Sequence, residues 1–257
     1  MPLFRSLAGS LLLTAPLVAA QTMEVPRQFN FCSIDIPFPP YAKLDGTGYL
    51  QHLVVQAAKA VNVRFDRHVA PRRRCFEEVR TGVADGMIAA HGPDRADAGA
   101  FPMRGGALDE SRQVGTVRFL VYRRVGTSID WDGQRFLNLR DGAVGVESAF
   151  AGIIDKLKQL GAPYDEGAKT LEQNLVKLVA GRVEAVVAMD LEANKLVMDR
   201  FAGKIEALAK PFDMAIMYLM VSKAFQARYP EFTEAYWHAI KDYRNSAEYR
   251  QYQLSNP

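Results

Sequence analysis

Apolar positions along the first third of the chain switch between a period of two and a period of about 3.6. Residues 29–36 alternate and are rich in β-formers, which predicts a first strand; Pro37-Phe38-Pro39-Pro40-Tyr41 cannot continue a sheet and ends it. Leu50, Leu53, Val54, Ala57, Ala58 and Val61 form a helical stripe after the turn at residues 45–48. A second strand is expected over 61–69. An amphipathic helix follows from Arg72 and stops at Gly82, and a short buried run, 86–90, breaks into the polar turn His91-Gly92-Pro93-Asp94-Arg95. The pattern is β-α-β-α-β, the start of a parallel sheet. Ligands of open parallel sheets bind outside the carboxyl ends of the strands, which makes Arg95 a first candidate contact.

After an irregular, glycine-containing stretch (101–111), a strand over 114–123 and a turn-rich segment (126–140), the pattern restarts. Residues 143–146 read as a strand, followed by a helix carrying Phe150, Ile153, Ile154, Leu157 and Leu160. Residues 161–165 turn into an edge strand, and a helix with Leu171, Leu175, Leu178 and Val179 ends at Gly181. A strand over 183–188, a helix opened by Asp190 and a short strand over 205–208 complete a second β-α-β-α-β lobe. The tail differs: a strand over 215–222, a helix marked by Phe232, Tyr236, Ile240 and Tyr243, and a short one over 247–252. Such a tail suggests a return to the first lobe, with two crossings forming a hinge and an inter-lobe cleft suited to a ligand.

Composition adds three points. With 257 residues, 49% of them hydrophobic, the chain can form one large domain or two modest ones. The formal net charge of +3 gives no argument for nucleic acid. The N-terminus has the pattern of a signal peptide, residues 1–20: Arg5, an apolar stretch interrupted by Pro16, then Val18-Ala19-Ala20 before an expected cleavage ahead of Gln21. Export to an oxidising compartment would favour a Cys32–Cys75 disulfide, adding about 4 kcal/mol in the chain-entropy model. The alternatives are free core thiols or a metal pair, although no histidine stands near either cysteine in sequence.

Several short segments recur in a telling order: Pro39-Pro40-Tyr41, residues 80–86 (RTGVADG), Pro93-Asp94-Arg95, residues 142–146 (GAVGV), residues 181–185 (GRVEA), Val221-Ser222-Lys223 and the closing aromatic helix. None is specific alone, but together the mature chain resembles the family 3 extracellular solute-binding proteins of the polar amino acid type. Within them it is similar to a subgroup, largely without assigned ligands, that carries R-C-x-x-x-V-x-x-G (here from Arg74) and Y-R-R-x-G-x-x-x-x-W-D-G (here from Tyr122). The resemblance implies an α/β, two-lobed type II periplasmic-binding fold with a hinge. Residues 21–119 and 212–257 would form lobe 1, and 120–211 lobe 2. It also implies a monomer in the periplasm that closes on a small polar solute and delivers it to the membrane permease of an ABC-type transporter, or reports it to a receptor.

The resemblance places Arg95 where the family grips a ligand carboxylate, a task that suits the planar guanidinium fork; the plain alternative is a surface arginine. Phe38 and Tyr41 are expected to wall the cleft or to pack a rigid loop. Ala90 and His91 stand where hydroxyl and backbone contacts are common. Glu147 and Ser148 precede a helix that Ser148 could cap, and Phe150 replaces a customary threonine. Asp190 lies one residue beyond the usual partner of a ligand ammonium, where Met189 stands, and could equally be a helix cap. The amino acid grip is thus half present, and the expected solute is carboxylate-bearing. No cofactor or metal is expected. The rival reading is an enzyme, since prephenate or arogenate dehydratases resemble this fold and acid–base chemistry could reside in Glu147, His91 or Asp190. No nucleophile elbow, zinc motif or dinucleotide fingerprint supports it.

Overall fold

The computed structural model describes residues 24–140, 142–148 and 150–256; the expected signal peptide lies outside them. The first half begins with β1 (Gln28–Ile34), α1 (Tyr49–Ala60), β2 (Arg64–Ala70), α2 (Arg72–Thr81), β3 (Gly86–Ala90) and α3 (Pro93–Ala98). β1 pairs in parallel with β2 and β3. α2 stops where the sequence predicts, because Gly82 adopts φ 79°, a left-handed conformation that costs glycine little. The turn expected at His91–Arg95 instead winds into α3, with Pro93 in its first turn, where a missing N–H is harmless.

A hairpin, β4 (Met103–Arg104) and β5 (Ala107–Leu108), leads to β6 (Gly115–Arg124) and a second hairpin, β7 (Asp130–Trp131) and β8 (Phe136–Leu137). The second half contains β9 (Val144–Gly145), α4 (Ala151–Gln159), β10 (Tyr164–Asp165), α5 (Leu171–Val179), β11 (Ala185–Met189) and α6 (Asp190–Arg200). The strands expected at 205–208 and 215–222 are one continuous strand, β12 (Ile205–Val221). Its pairing with β6 slips around Pro211, so the residue without an N–H sits at an irregularity rather than in a regular ladder. α7 (Lys223–Arg228), capped by Ser222 and not anticipated, precedes α8 (Pro230–Arg244) and α9 (Ala247–Ser255).

The sheet order is β10-β9-β11-β6-β12-β3-β1-β2. The long strands β6 and β12 pair with each other and join the parallel trio β1–β3 to the parallel trio β9–β11. β11, AVVAM, is buried along its whole length, as an apolar run covered on both faces should be. One core packs α1 and α8 on β1 and β3 through Phe29, Leu53, Phe232, Tyr236 and Trp237. Trp237 satisfies its buried indole N–H on the Leu219 carbonyl at 2.9 Å. On the opposite side, Val79, Met87, Tyr218 and the Cys32–Cys75 disulfide form a second core; the favoured pairing is therefore present.

Candidate functional site

β1 delivers the chain to the proline loop. Phe38 and Ala42 exchange two backbone hydrogen bonds of 3.0 Å around a cis Pro39–Pro40 bond. Gly48, at the start of α1, lets this loop lie directly on the helix: a Cβ there would stand 2.6 Å from the Tyr41 carbonyl oxygen. The loop thereby aims Tyr41 across to the second half of the chain. Its hydroxyl donates to Asp190 Oδ1 at 2.5 Å, with the tyrosine 5% exposed and the aspartate fully buried. Burial, and then the neighbouring carboxylate, push the Tyr41 phenol far above its ordinary value, which keeps it a donor.

Asp190 is positioned by the junction of β11 and α6. Oδ1 also accepts the Leu191 backbone N–H at 2.8 Å, so the carboxylate does serve the start of α6. Oδ2 accepts Arg118 Nε at 2.7 Å, from the middle of β6. Tyr122, two pleat repeats further along β6, donates to Asn194 Oδ1 at 2.9 Å and approaches the Asp190 carbonyl at 3.3 Å. Burial raises this phenol too, ahead of the effect of Asp190. The result is a buried carboxylate with three donors at the place where the two strand trios meet. Arg118 was not among the expected site residues; a basic residue between Val117 and Phe119 in the middle of a strand was its only sequence signal.

Phe38 and Phe150 pack against one shared core, together with Ile88, Phe119, Leu191 and Met217. Phe150 meets Phe119 edge to face, with centroids 5.1 Å apart. The contact between the halves is thus apolar around a polar centre. Ala90 pairs with Met217 of β12 at the carboxyl end of β3. Two grooves flank the Tyr41–Asp190 contact. One, of about 350 Å³, lies between the proline loop and Leu191, Glu192, Lys195 and Asp199 of α6. The other, of about 480 Å³, is bordered by Tyr41, Thr116, Arg118, Asp190 and Arg244.

The remaining candidates lie apart from this centre. Arg95 projects from α3 over the Phe76 ring, 5.8 Å from its centroid, and its Nη1 reaches the Ala90 carbonyl at 3.4 Å. Among the described side chains, which leave out Pro93 and Asp94, no carboxylate pairs with it. His91 is exposed and meets the Phe101 ring edge at 5.0 Å. Ser148 is exposed and does not cap α4: the N-cap position falls on Phe150 and has no side-chain hydrogen bond. Glu147, at the carboxyl end of β9, is half-buried; desolvation, and secondarily the Glu192 carboxylate, lift it to about 7. Burial raises Glu192 as well.

No protein-family model matches the chain, and no curated protein matches it in sequence. Solved structures do. The L-cystine solute receptor of Neisseria gonorrhoeae, in its unliganded open conformation, aligns over 89% of this chain and 92% of its own, with a TM-score of 0.61 at 15% identity. The arginine-, lysine-, histidine-binding protein ArtJ of Geobacillus stearothermophilus aligns over 89% and 94%, with a TM-score of 0.57 at 18% identity. A histidine kinase sensor domain with similarity to periplasmic binding proteins aligns over 90% and 96%, with a TM-score of 0.57 at 13% identity. At these identities the likeness establishes the fold: the chain has the two-lobed α/β architecture of the type II periplasmic-binding proteins.

Proposed function

We propose that this chain is a periplasmic solute-binding protein that closes around a small polar, carboxylate-bearing solute and delivers it to the permease of an ABC-type transporter. In this reading lobe 1 comprises 21–119 and 212–257, lobe 2 comprises 120–211, and β6 and β12 act as the hinge. The observation that carries it is Arg95. Its guanidinium stands at the carboxyl end of a parallel strand, held by one long hydrogen bond and a ring face, with no carboxylate partner among the described side chains. A planar fork in that position suits two carboxylate oxygens. The cystine receptor and ArtJ, with the same fold, are binders of amino acids by their own descriptions. Asp190 is already engaged by Tyr41, Arg118 and Leu191, so a ligand ammonium would have to find another partner. That favours a carboxylate without the standard α-amino grip.

Thermal unfolding against a panel of small carboxylates and amino acids tests the proposal. A ligand at 100 times its Kd adds about 2.7 kcal/mol, a midpoint rise of roughly 5–10 °C at this size. Arg95→Ala should abolish that rise while leaving the unliganded midpoint nearly unchanged. A ligand recovered chemically altered would instead support catalysis. A second reading, a sensor that reports to a receptor, is favoured by the Tyr41–Asp190–Arg118 contact, which joins the halves using the protein's own groups. Capture of a permease or of a receptor kinase by the mature chain separates the two.

A further inference from the structure

The sequence scatters four histidines with no metal-ligand spacing; the one nearest a cysteine, His68, precedes Cys75 by seven residues. The fold changes this. Parallel pairing of β1 with β2 sets His68 directly opposite Cys32. On α2, Cys75 and Glu78 are three residues apart and share one face. The Cys32 sulfur, a His68 ring nitrogen and a Glu78 carboxylate oxygen all lie within 4.8 Å of one another, and the Cys75 sulfur is bonded to that of Cys32. His68 Nε2 touches Glu78 Oε2 at 2.5 Å, and Arg74 Nε holds Oε1 at 2.7 Å. Both cysteines are buried, whereas the His68 side chain is 44% exposed and that of Glu78 11%, so the cluster meets solvent at His68.

We propose that reduction of the Cys32–Cys75 bond converts this cluster into a zinc site with two thiolates, the His68 imidazole and the Glu78 carboxylate as ligands. A dithiol supplies two electrons and two protons to the disulfide and closes to its own disulfide, leaving two thiols on this chain. Zinc binding then expels both thiol protons to solvent. His68 contributes the lone pair of its neutral ring and gives up its hydrogen bond to Glu78. Tetrahedral zinc needs ligand atoms about 3.5 Å apart; the sulfurs, bonded to each other in the disulfide, and the His68–Glu78 pair, at 2.5 Å, must therefore spread, which cleavage of the S–S bond and side-chain rotation allow. Arg74 remains on the outer carboxylate oxygen and orients it, as second-layer partners of metal ligands do. In the oxidised chain both sulfurs are spent on each other and the site is closed. The metal and the disulfide are therefore alternative cross-links among β1, β2 and α2.

Cobalt(II) titration of the mature chain, with and without a phosphine reductant, tests this. The reduced chain should bind one equivalent, with the intense thiolate-to-metal and tetrahedral bands of a sulfur-ligated cobalt, and zinc should bleach them; the oxidised chain should show none. His68→Ala and Glu78→Ala should each weaken binding by tenfold or more in the reduced form. Absence of the bands, equal binding by the oxidised chain, or unchanged affinity in both variants overturns the proposal. If reduction alone unfolds the chain, one equivalent of zinc must restore the native circular dichroism, because binding and folding are then coupled; failure to do so overturns it equally.

Discussion

Asp190 offers two carboxylate oxygens to three donors inside the protein, and such a group is costly to bury if any donor is lost. Tyr41→Phe removes one charge-assisted hydrogen bond without opening a cavity. We expect it to lower stability by about 1.5–3 kcal/mol in urea unfolding. In an Asp190→Asn background the same substitution should cost far less, since the two side chains share one interaction. Glu147 makes the opposite kind of prediction. Folding lifts it from 4.5 to about 7, so the folded state holds the proton more tightly than the unfolded chain. Its contribution is full below about pH 4.5 and is lost as pH rises through 7. Glu147→Gln should therefore gain on the parent by on the order of 1–2 kcal/mol between pH 4.5 and pH 8, after allowance for its partial exposure. Asp190 was visible in the sequence as a polar residue closing an apolar strand. Its partner Tyr41 was visible as a cleft candidate. Their pairing was not, because 149 residues separate them and no local pattern encodes a contact over that span.

At the scale of elements, the helices and the buried strands follow from periodicity and from glycine and proline punctuation: α1, α2, β3, α5 and α8 fall within a few residues of their predicted positions. The misses share a cause. β12 looked like two strands because Lys210 and Pro211 interrupt its apolar pattern, yet tertiary pairing with β6 carries the backbone across that irregularity. The docking of α9 was equally hidden, since it depends on polar tips of aromatic residues. Tyr252 donates to the Thr47 carbonyl at 2.6 Å, and Tyr49 donates to that of Gln253 at 2.8 Å. His52 of α1 stacks on Tyr252 with centroids 3.4 Å apart, and its Nε2 lies 3.1 Å from the Tyr243 hydroxyl. Burial, with Lys59 adding to it, holds His52 below its ordinary value. The folded state thus resists its protonation, and this contribution is present above about pH 6.5 and falls as pH drops below it. Amide exchange in α9 should accelerate more between pH 7.5 and 5.5, after correction for intrinsic rates, in the parent than in His52→Gln.

For the whole molecule, the β-α-β-α-β pattern occurring twice and then returning made two lobes legible, but it could not say how they meet. They meet through β6 and β12, through Phe38, Phe119 and Phe150, which pack against one core, and through the Tyr41–Asp190 bond. Of these, the aromatic packing is non-directional, and the hydrogen bond is the element with a defined geometry. Losing about 1.5–3 kcal/mol at that point shifts any equilibrium between joined and separated lobes by roughly ten- to hundredfold toward separation. Tyr41→Phe should then raise the radius of gyration in small-angle scattering above the ~17–18 Å expected for a compact chain of this length. Arg95→Ala, which removes a side chain lying against Phe76 of α2 and the Ala90 carbonyl of β3, should leave it unchanged. Under the proposed function, a carboxylate gripped from both lobes should return the Tyr41→Phe protein to the parental radius, because it would supply the differential affinity that the lost bond no longer provides. An unchanged radius in Tyr41→Phe would assign the closure to the aromatic cluster, and Phe150→Ala would then produce the opening.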